Sequence, residues 1–332
     1  MSYNIHALPW DLAILIFLIG GMSLIVFSWK WSKGVVSLRK KRQFLALCTF
    51  GIFFSLVIIY GSFIEPQILM VTEREVALPM KEDMKIVVLS DLHVGPYKGR
   101  RFVQRVVDKV NALNPDLVLL AGDYIYFGSD PLNHLVPLKD LHPRYGTFAV
   151  LGNHEYSCRS VGTAYSLLGK PGGDYSLPVR RALERSGVVV LRNDWREVPI
   201  ETGLIFIGGV DDSCTKREDL DRAMPEILKQ SPLILIAHNP DIILEGQARR
   251  PHLIVAGHTH AGQIRLPFIG PIAPCPTQLG WDYDQGLFDV DANTKLAITR
   301  GVGESSPRAR LFAPPEILVL NAKGAALNEE GL

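Results

Sequence analysis

The chain has 332 residues, 47% of them hydrophobic, and a formal net charge of +1. So even a balance excludes a nucleic-acid binder working through a global basic field, and the length admits one large domain with attachments or two modest ones. The charge is unevenly placed, however: residues 30–42, KWSKGVVSLRKKR, carry six Lys/Arg and no acid.

The first apolar stretch, PWDLAILIFLIGGMSLIVFSW at 9–29, has the length of a helix crossing a hydrocarbon core of ~30 Å. Trp10, Trp29 and Trp31 stand where interfacial aromatics belong, and Asp11 lies at the end, within reach of water. No Lys/Arg precedes the stretch and no small-residue cleavage site follows it, which speaks against a signal peptide. The second stretch, FLALCTFGIFFSLVIIYGSFI at 44–64, is uncharged throughout, and two such runs speak against a buried hairpin of soluble core helices. Short loops rich in Lys/Arg stay cytoplasmic, so residues 30–42 face the cytoplasm and everything after Pro66 lies on the other side. The expectation is a transmembrane hairpin at 1–66 in the inner (cytoplasmic) membrane and a catalytic domain at 67–332 on the extracytoplasmic side.

Beyond residue 67 short apolar runs alternate with helical periodicity. Strands are expected at 84–90, 114–122, 146–153, 188–194, 204–212, 232–240, 252–260, 296–303 and 315–321, with helices at 102–113 and 180–187. This predicts a layered α/β fold of two mixed sheets flanked by helices. Of the four cysteines, Cys48 falls in the second span, and Cys158, Cys214 and Cys275 match no zinc-finger spacing and require no disulfide framework.

Asp91, Asp123, Asn153, His238 and His258 each follow an apolar strand, and ligand crevices form at the carboxyl ends of strands. The segments SDLHVG (90–95), AGDYIY (121–126), LGNHEY (151–156), AHNPD (237–241) and GHTHAGQ (257–263) add His93, His154 and His260. Any one of these residues alone would be read as a turn former, a cap or a surface histidine; the ordered set is read as one site. Carboxylates and imidazoles with one amide oxygen suit Mn, Fe or Zn rather than Ca, Mg or a thiolate-bound metal. Seven ligands with one shared carboxylate would serve two divalent ions. His6, His134, His142 and His252 stay outside the set.

These five segments resemble, in order and spacing, the motifs of the calcineurin-like metallophosphoesterase superfamily: D-x-H, G-D, G-N-H-[DE], H and G-H-x-H. HTHAGQIRLP (258–267), AHNPD and RLFAPPEI (310–317) further resemble its membrane-associated bacterial branch of YkuE/YaeI type. The resemblance implies that Asp91, His93 and His260 hold one metal, that Asn153, His238 and His258 hold the second, and that Asp123 bridges them. It implies that water held between the ions attacks phosphorus, and that His154, without being a ligand, protonates the leaving oxygen or stabilises the transition state. Glu155 stands where many relatives have Asp. Arg100, Arg265 and Arg310 are the candidates for phosphate oxygens, with Lys98, Arg101, Arg300 and Arg308 near the same motifs. The segment 157–178, without clear periodicity, is either a lid or a plain surface loop.

The function expected is hydrolysis of a phosphate ester or diester, of the envelope or carried on a lipid, by a membrane-anchored enzyme. Two alternatives stand beside it: a UDP-2,3-diacylglucosamine pyrophosphate hydrolase of lipid A synthesis, whose cytoplasmic substrate conflicts with the inferred topology, and a catalytically silent metal-binding scaffold. Beyond the bilayer and a phosphorylated substrate, no protein partner is inferable.

Overall fold

A computed structural model of the protein describes residues 8–34, 37–126, 132–157, 173–224, 231–245, 251–305 and 307–324. Two helices open it, α1 (Leu8–Lys33) and α2 (Leu38–Ile59), both long and apolar enough to cross a membrane. They pack as an antiparallel pair through small residues. A Cβ on Gly21 would lie 2.3 Å from Ser55 Oγ, and one on Gly51 would lie 3.2 Å from Gly21 O, so glycine at these two positions lets the backbones approach closely. α2 runs on through a π turn (Tyr60–Ile64) and a 3-10 turn (Glu65–Gln67), and β1 (Met70–Leu78) begins three residues later.

The first sheet holds β1, β2 (Met84–Leu89), β3 (Leu117–Ala121), β4 (Thr147–Val150), β5 (Val189–Val190) and the last strand, β14 (Glu316–Gly324). Their spatial order is β1-β14-β2-β3-β4-β5, parallel except where β14 meets β2. The second sheet holds β6 (Asp194–Ile200), β7 (Gly203–Gly209), β8 (Leu233–Ile236), β9 (Leu253–Ala256), β12 (Gly286–Asp289) and β13 (Lys295–Ile298). It runs β12-β13-β9-β8-β7-β6, with antiparallel pairs at both ends. A short hairpin, β10 (Arg265–Leu266) and β11 (Gly270–Pro271), stands outside both sheets.

Alternate side chains of the central strands go to opposite faces. Ile86 and Val88 of β2 join Ile207, Ile234, Ile236 and Val255 between the sheets, while Val87 and Leu89 face α3 (Arg100–Asn111) and α4 (Ser176–Arg185). Phe102, Val103, Val106, Val107 and Val110 form one apolar stripe of α3. Both faces of the sheet are thus covered, which is why its strands read as unbroken apolar runs.

The helix pair is bonded to the rest of the protein at one end. Arg308 Nη1 lies 2.6 Å from Asp11 Oδ1, and Arg310 N donates to Gly61 O at 2.8 Å. The buried Glu65 carboxylate accepts from Phe312 N at 3.0 Å and Ala313 N at 2.7 Å. Lys98, fully buried, donates to Pro66 O and pairs with Glu304 at 3.0 Å. The boundary expected at 66/67 therefore falls inside a connected cluster of hydrogen bonds. Cys214 is disulfide-bonded, whereas Cys48 and Cys275 are free.

Candidate metal centre

The carboxyl ends of β2, β3, β4, β8 and β9 deliver Asp91 and His93, Asp123, Asn153 and His154, His238, and His258 and His260 to one place. Leaving a strand so abruptly strains the backbone. Asp91, His93, Asp123, His258 and His260 all have φ between 43° and 69°, a region that costs an L-residue roughly 1–2 kcal/mol each. Glycines make the space: a Cβ on Gly152 would lie 2.3 Å from Asp123 Oδ1, and one on Gly257 would lie 1.9 Å from Ser90 Oγ.

Two groups of ligand atoms share Asp123. On one side His93 Nε2 faces His260 Nε2 at 3.1 Å, and Asp91 Oδ1 lies 3.3 Å from His260 Nε2. On the other, His238 Nε2 lies 3.0 Å from Asn153 Oδ1 and 3.1 Å from His258 Nδ1. Asp123 Oδ2 stands 3.2 Å from His238 Nε2 and 3.6 Å from His93 Nε2. The asparagine and six of the seven histidines and carboxylates named here are well buried, His154 being the most open with its side chain 16% exposed.

The donors fit divalent cations. Asp91 Oδ1 is buried with no hydrogen-bond partner among the described residues, and a buried oxygen so left is costly. Imidazole nitrogens confront each other at 3.1 Å in two pairs, an arrangement that a cation between them satisfies better than a shared proton. The ionisation follows the same logic. Burial would raise the Asp91 and Asp123 carboxyls, yet His260 and His93 around the first, and His238 and His154 around the second, hold both well below the carboxylate range. Burial, with the charge on His238, pushes His258 down to about 3. Against its own burial, His238 is raised to about 10 by Asp123.

Three buried residues outside the ligand set stand at the site. Glu155 accepts from Gly152 N (2.8 Å), Tyr124 N (2.9 Å), Asp123 N (3.2 Å) and Ile125 N (3.3 Å), knitting two ligand loops together. Burial and Asp123 raise it to about 8, while four N–H donors favour its charged form. Asp212 follows β7 as the ligand-bearing loops follow their strands; burial raises it to about 6, and its Oδ1 has no hydrogen-bond partner among the described residues. The run LIFIGGVDD was the signal for it.

Arg310 is the third, and its setting differs from that of a phosphate ligand. It is fully buried, with Nε donating to Gly303 O (2.9 Å), Nη1 to Ala313 O (2.8 Å), and Nη2 to Arg300 O (2.9 Å) and His260 Nδ1 (3.3 Å). Burial lowers its pKa to about 10, so it stays charged at neutral pH. These bonds occupy four of its five N–H donors, and the guanidinium is fully enclosed, with no exposed edge to face a substrate. Arg265 is paired with Asp284, Arg300 with Glu316 at 2.9 Å and Arg308 with Asp11. Arg100 and Arg101 are exposed in the first turn of α3. Most of the segment expected to be lid or loop, residues 158–172, lies outside the described residues.

With this geometry in hand, comparison with known proteins is specific. Residues 84–262 match the family model described as calcineurin-like phosphoesterase. The chain is 30% identical over 318 residues to an uncharacterized metallophosphoesterase of Campylobacter jejuni, covering 90% of this chain and 78% of that one. It is 29% identical to the uncharacterized metallophosphoesterase YkuE of Bacillus subtilis, covering 80% and 89%. It is 32% identical to a transmembrane protein with metallophosphoesterase domain from Bos taurus, covering 90% and 67%.

Proposed function

The chain belongs to the calcineurin-like phosphoesterase family and is a metal-dependent phosphoric ester hydrolase; from that premise we propose that it is membrane-anchored, uses two divalent cations of the Mn, Fe or Zn type, and cleaves an ester or diester of the envelope or carried on a lipid. The observation that carries the two-cation reading is Asp123, whose Oδ2 stands within reach of ligand atoms from both groups.

Asp91, His93 and His260 would hold one cation and Asn153, His238 and His258 the other, with Asp123 shared. Such a pair supplies Lewis-acid chemistry, activating water as a nucleophile near neutral pH and offsetting charge on phosphoryl oxygens. His154 lies beside the shared carboxylate, its Nε2 3.8 Å from Asp123 Oδ2. Its Nδ1 meets Tyr126 O at 2.5 Å, and since a carbonyl only accepts, the neutral ring carries its proton there. Burial lowers its pKa to about 4, so at neutral pH Nε2 presents a lone pair. To protonate a leaving oxygen it must first take up a proton, and the negative charge of an incoming phosphate favours that uptake. His154→Ala should lower kcat on bis-p-nitrophenyl phosphate by about 10²–10⁴-fold with metal content unchanged. Loss of metal in that variant would make His154 a ligand instead, since His93, Asp123 and His154 also lie close enough to share a cation.

Membrane anchoring is supported by α1 and α2 and by the relative named a transmembrane protein. Placement of the hydrolase outside the cytoplasm is supported by the basic segment between the helices. C-terminal fusions test it: alkaline phosphatase should be active and green fluorescent protein dark. The reverse result would place the site in the cytoplasm and make UDP-2,3-diacylglucosamine the first substrate to assay.

A further inference from the structure

The β10–β11 hairpin has an apolar tip that no described residue covers. Leu266, Phe268, Ile269 and Ile272 are all exposed, Phe268 completely. The run from Leu266 to Ile272, LPFIGPI, contains no charge, and its two prolines and glycine make a stiff turn. Phe268 holds φ at 67°, so a strained backbone presents a large ring to water. Leaving such a ring in water forgoes about 2–3 kcal/mol of burial.

The base of this hairpin is joined to the end of the helix pair. Arg265 N donates to Leu311 O and Leu311 N to Gln263 O, both at 2.9 Å. On either side of Leu311, Arg310 N is bonded to Gly61 O, and Phe312 N and Ala313 N to the Glu65 carboxylate. Phe312 is itself exposed. Gly61 and Glu65 mark the point where α2 leaves its apolar run, and Asp11, at the start of α1, is held at the same end by Arg308. The tip is a tight turn, Ile269 N donating to Leu266 O at 3.2 Å with Phe268 at its centre, and interfacial segments bury their apolar side chains ~5–10 Å into the acyl–headgroup boundary.

We infer that the β10–β11 hairpin, together with Phe312, is a third membrane contact, its apolar tip inserted into the leaflet from which α2 emerges. This rests on α1 and α2 being membrane spans and is independent of the hydrolytic reaction. The partner is the acyl–headgroup boundary of that leaflet. The continuity of the hairpin with the end of the helix pair argues for the bilayer as its occupant, and the uncharged tip lets it enter.

The test uses the full chain in vesicles of phosphatidylethanolamine and phosphatidylglycerol, with Phe268→p-benzoylphenylalanine as photoreactive probe. The same substitution at Phe53, exposed on α2, serves as the lipid-facing reference, and at Leu204, exposed at the start of β7, as the solvent-facing one. Irradiation followed by mass spectrometry should give a phospholipid adduct at 268 comparable to that at 53 and at least about tenfold above that at 204. An adduct at 268 with a second copy of the chain, or with another part of the same chain, would assign the tip to a protein contact and overturn the proposal. So would the absence of any lipid adduct at 268 when position 53 gives one.

Discussion

Asp123→Asn should bring turnover of bis-p-nitrophenyl phosphate by the full chain in detergent to background, a loss of about 10³-fold or more, equivalent to roughly 4 kcal/mol of transition-state stabilisation. The substitution is nearly isosteric, and its amide oxygen can still accept from His154 N as Asp123 Oδ1 does at 3.0 Å. The loop therefore keeps its shape. What disappears is the negative charge between the two ligand groups, replaced on one side by N–H donors aimed at histidine nitrogens. Metal content, read by inductively coupled plasma mass spectrometry, should fall with activity while the melting temperature of the metal-free protein changes little. A variant with undiminished turnover would remove Asp123 from the bridging position and the two-cation reading with it.

Arg310→Met should cost about 3–5 kcal/mol of stability. At roughly 2–4 °C per kcal/mol for a domain of this size, the melting temperature falls by at least about 6 °C. The guanidinium satisfies carbonyls of Arg300, Gly303 and Ala313 that are buried around it, and methionine leaves them without donors. The damage should reach the site, because Gly303 N donates to Asp91 O at 2.7 Å and Arg310 itself touches His260. Asp91 and His260 would then lose their positions together, and metal binding should weaken on that side first. Arg310→Lys should rescue little, since one ammonium cannot span acceptors that a planar fork reaches at once. An unchanged melting temperature with a raised KM would return Arg310 to the role of phosphate ligand.

Much of the fold is legible because strands buried on both faces announce themselves. The runs at 84–90, 114–122, 232–240 and 252–260 each contain a strand of the structure, shortened at its ends. The edges are not legible. β1, MVTEREVAL, has three consecutive charges, Glu73, Arg74 and Glu75, and is mostly exposed, so nothing local marks it as a strand; its partner β14 is over two hundred residues away. The run at 188–194 divides, Val189–Val190 joining the first sheet and Asp194 opening β6 in the second, with no proline or glycine to mark the change. The site divides in the same way. Ligand-type residues at strand ends can be counted in the sequence, but Glu155 and Arg310 act through backbone groups brought together from distant segments. No local pattern reveals that convergence.

The absence of a linker has its own consequence. A flexible tether of twenty residues would let an active site sweep a hemisphere of roughly 25 Å radius. Here the helix runs into β1 through two tight turns, and Arg308, Arg310, Glu65 and Lys98 fasten the join. With the helices in a bilayer, the centre has no radial freedom and moves only by lateral diffusion. Its rate on a membrane-borne ester then follows the number of substrate molecules per unit area, and diluting the vesicles at constant surface composition leaves it unchanged.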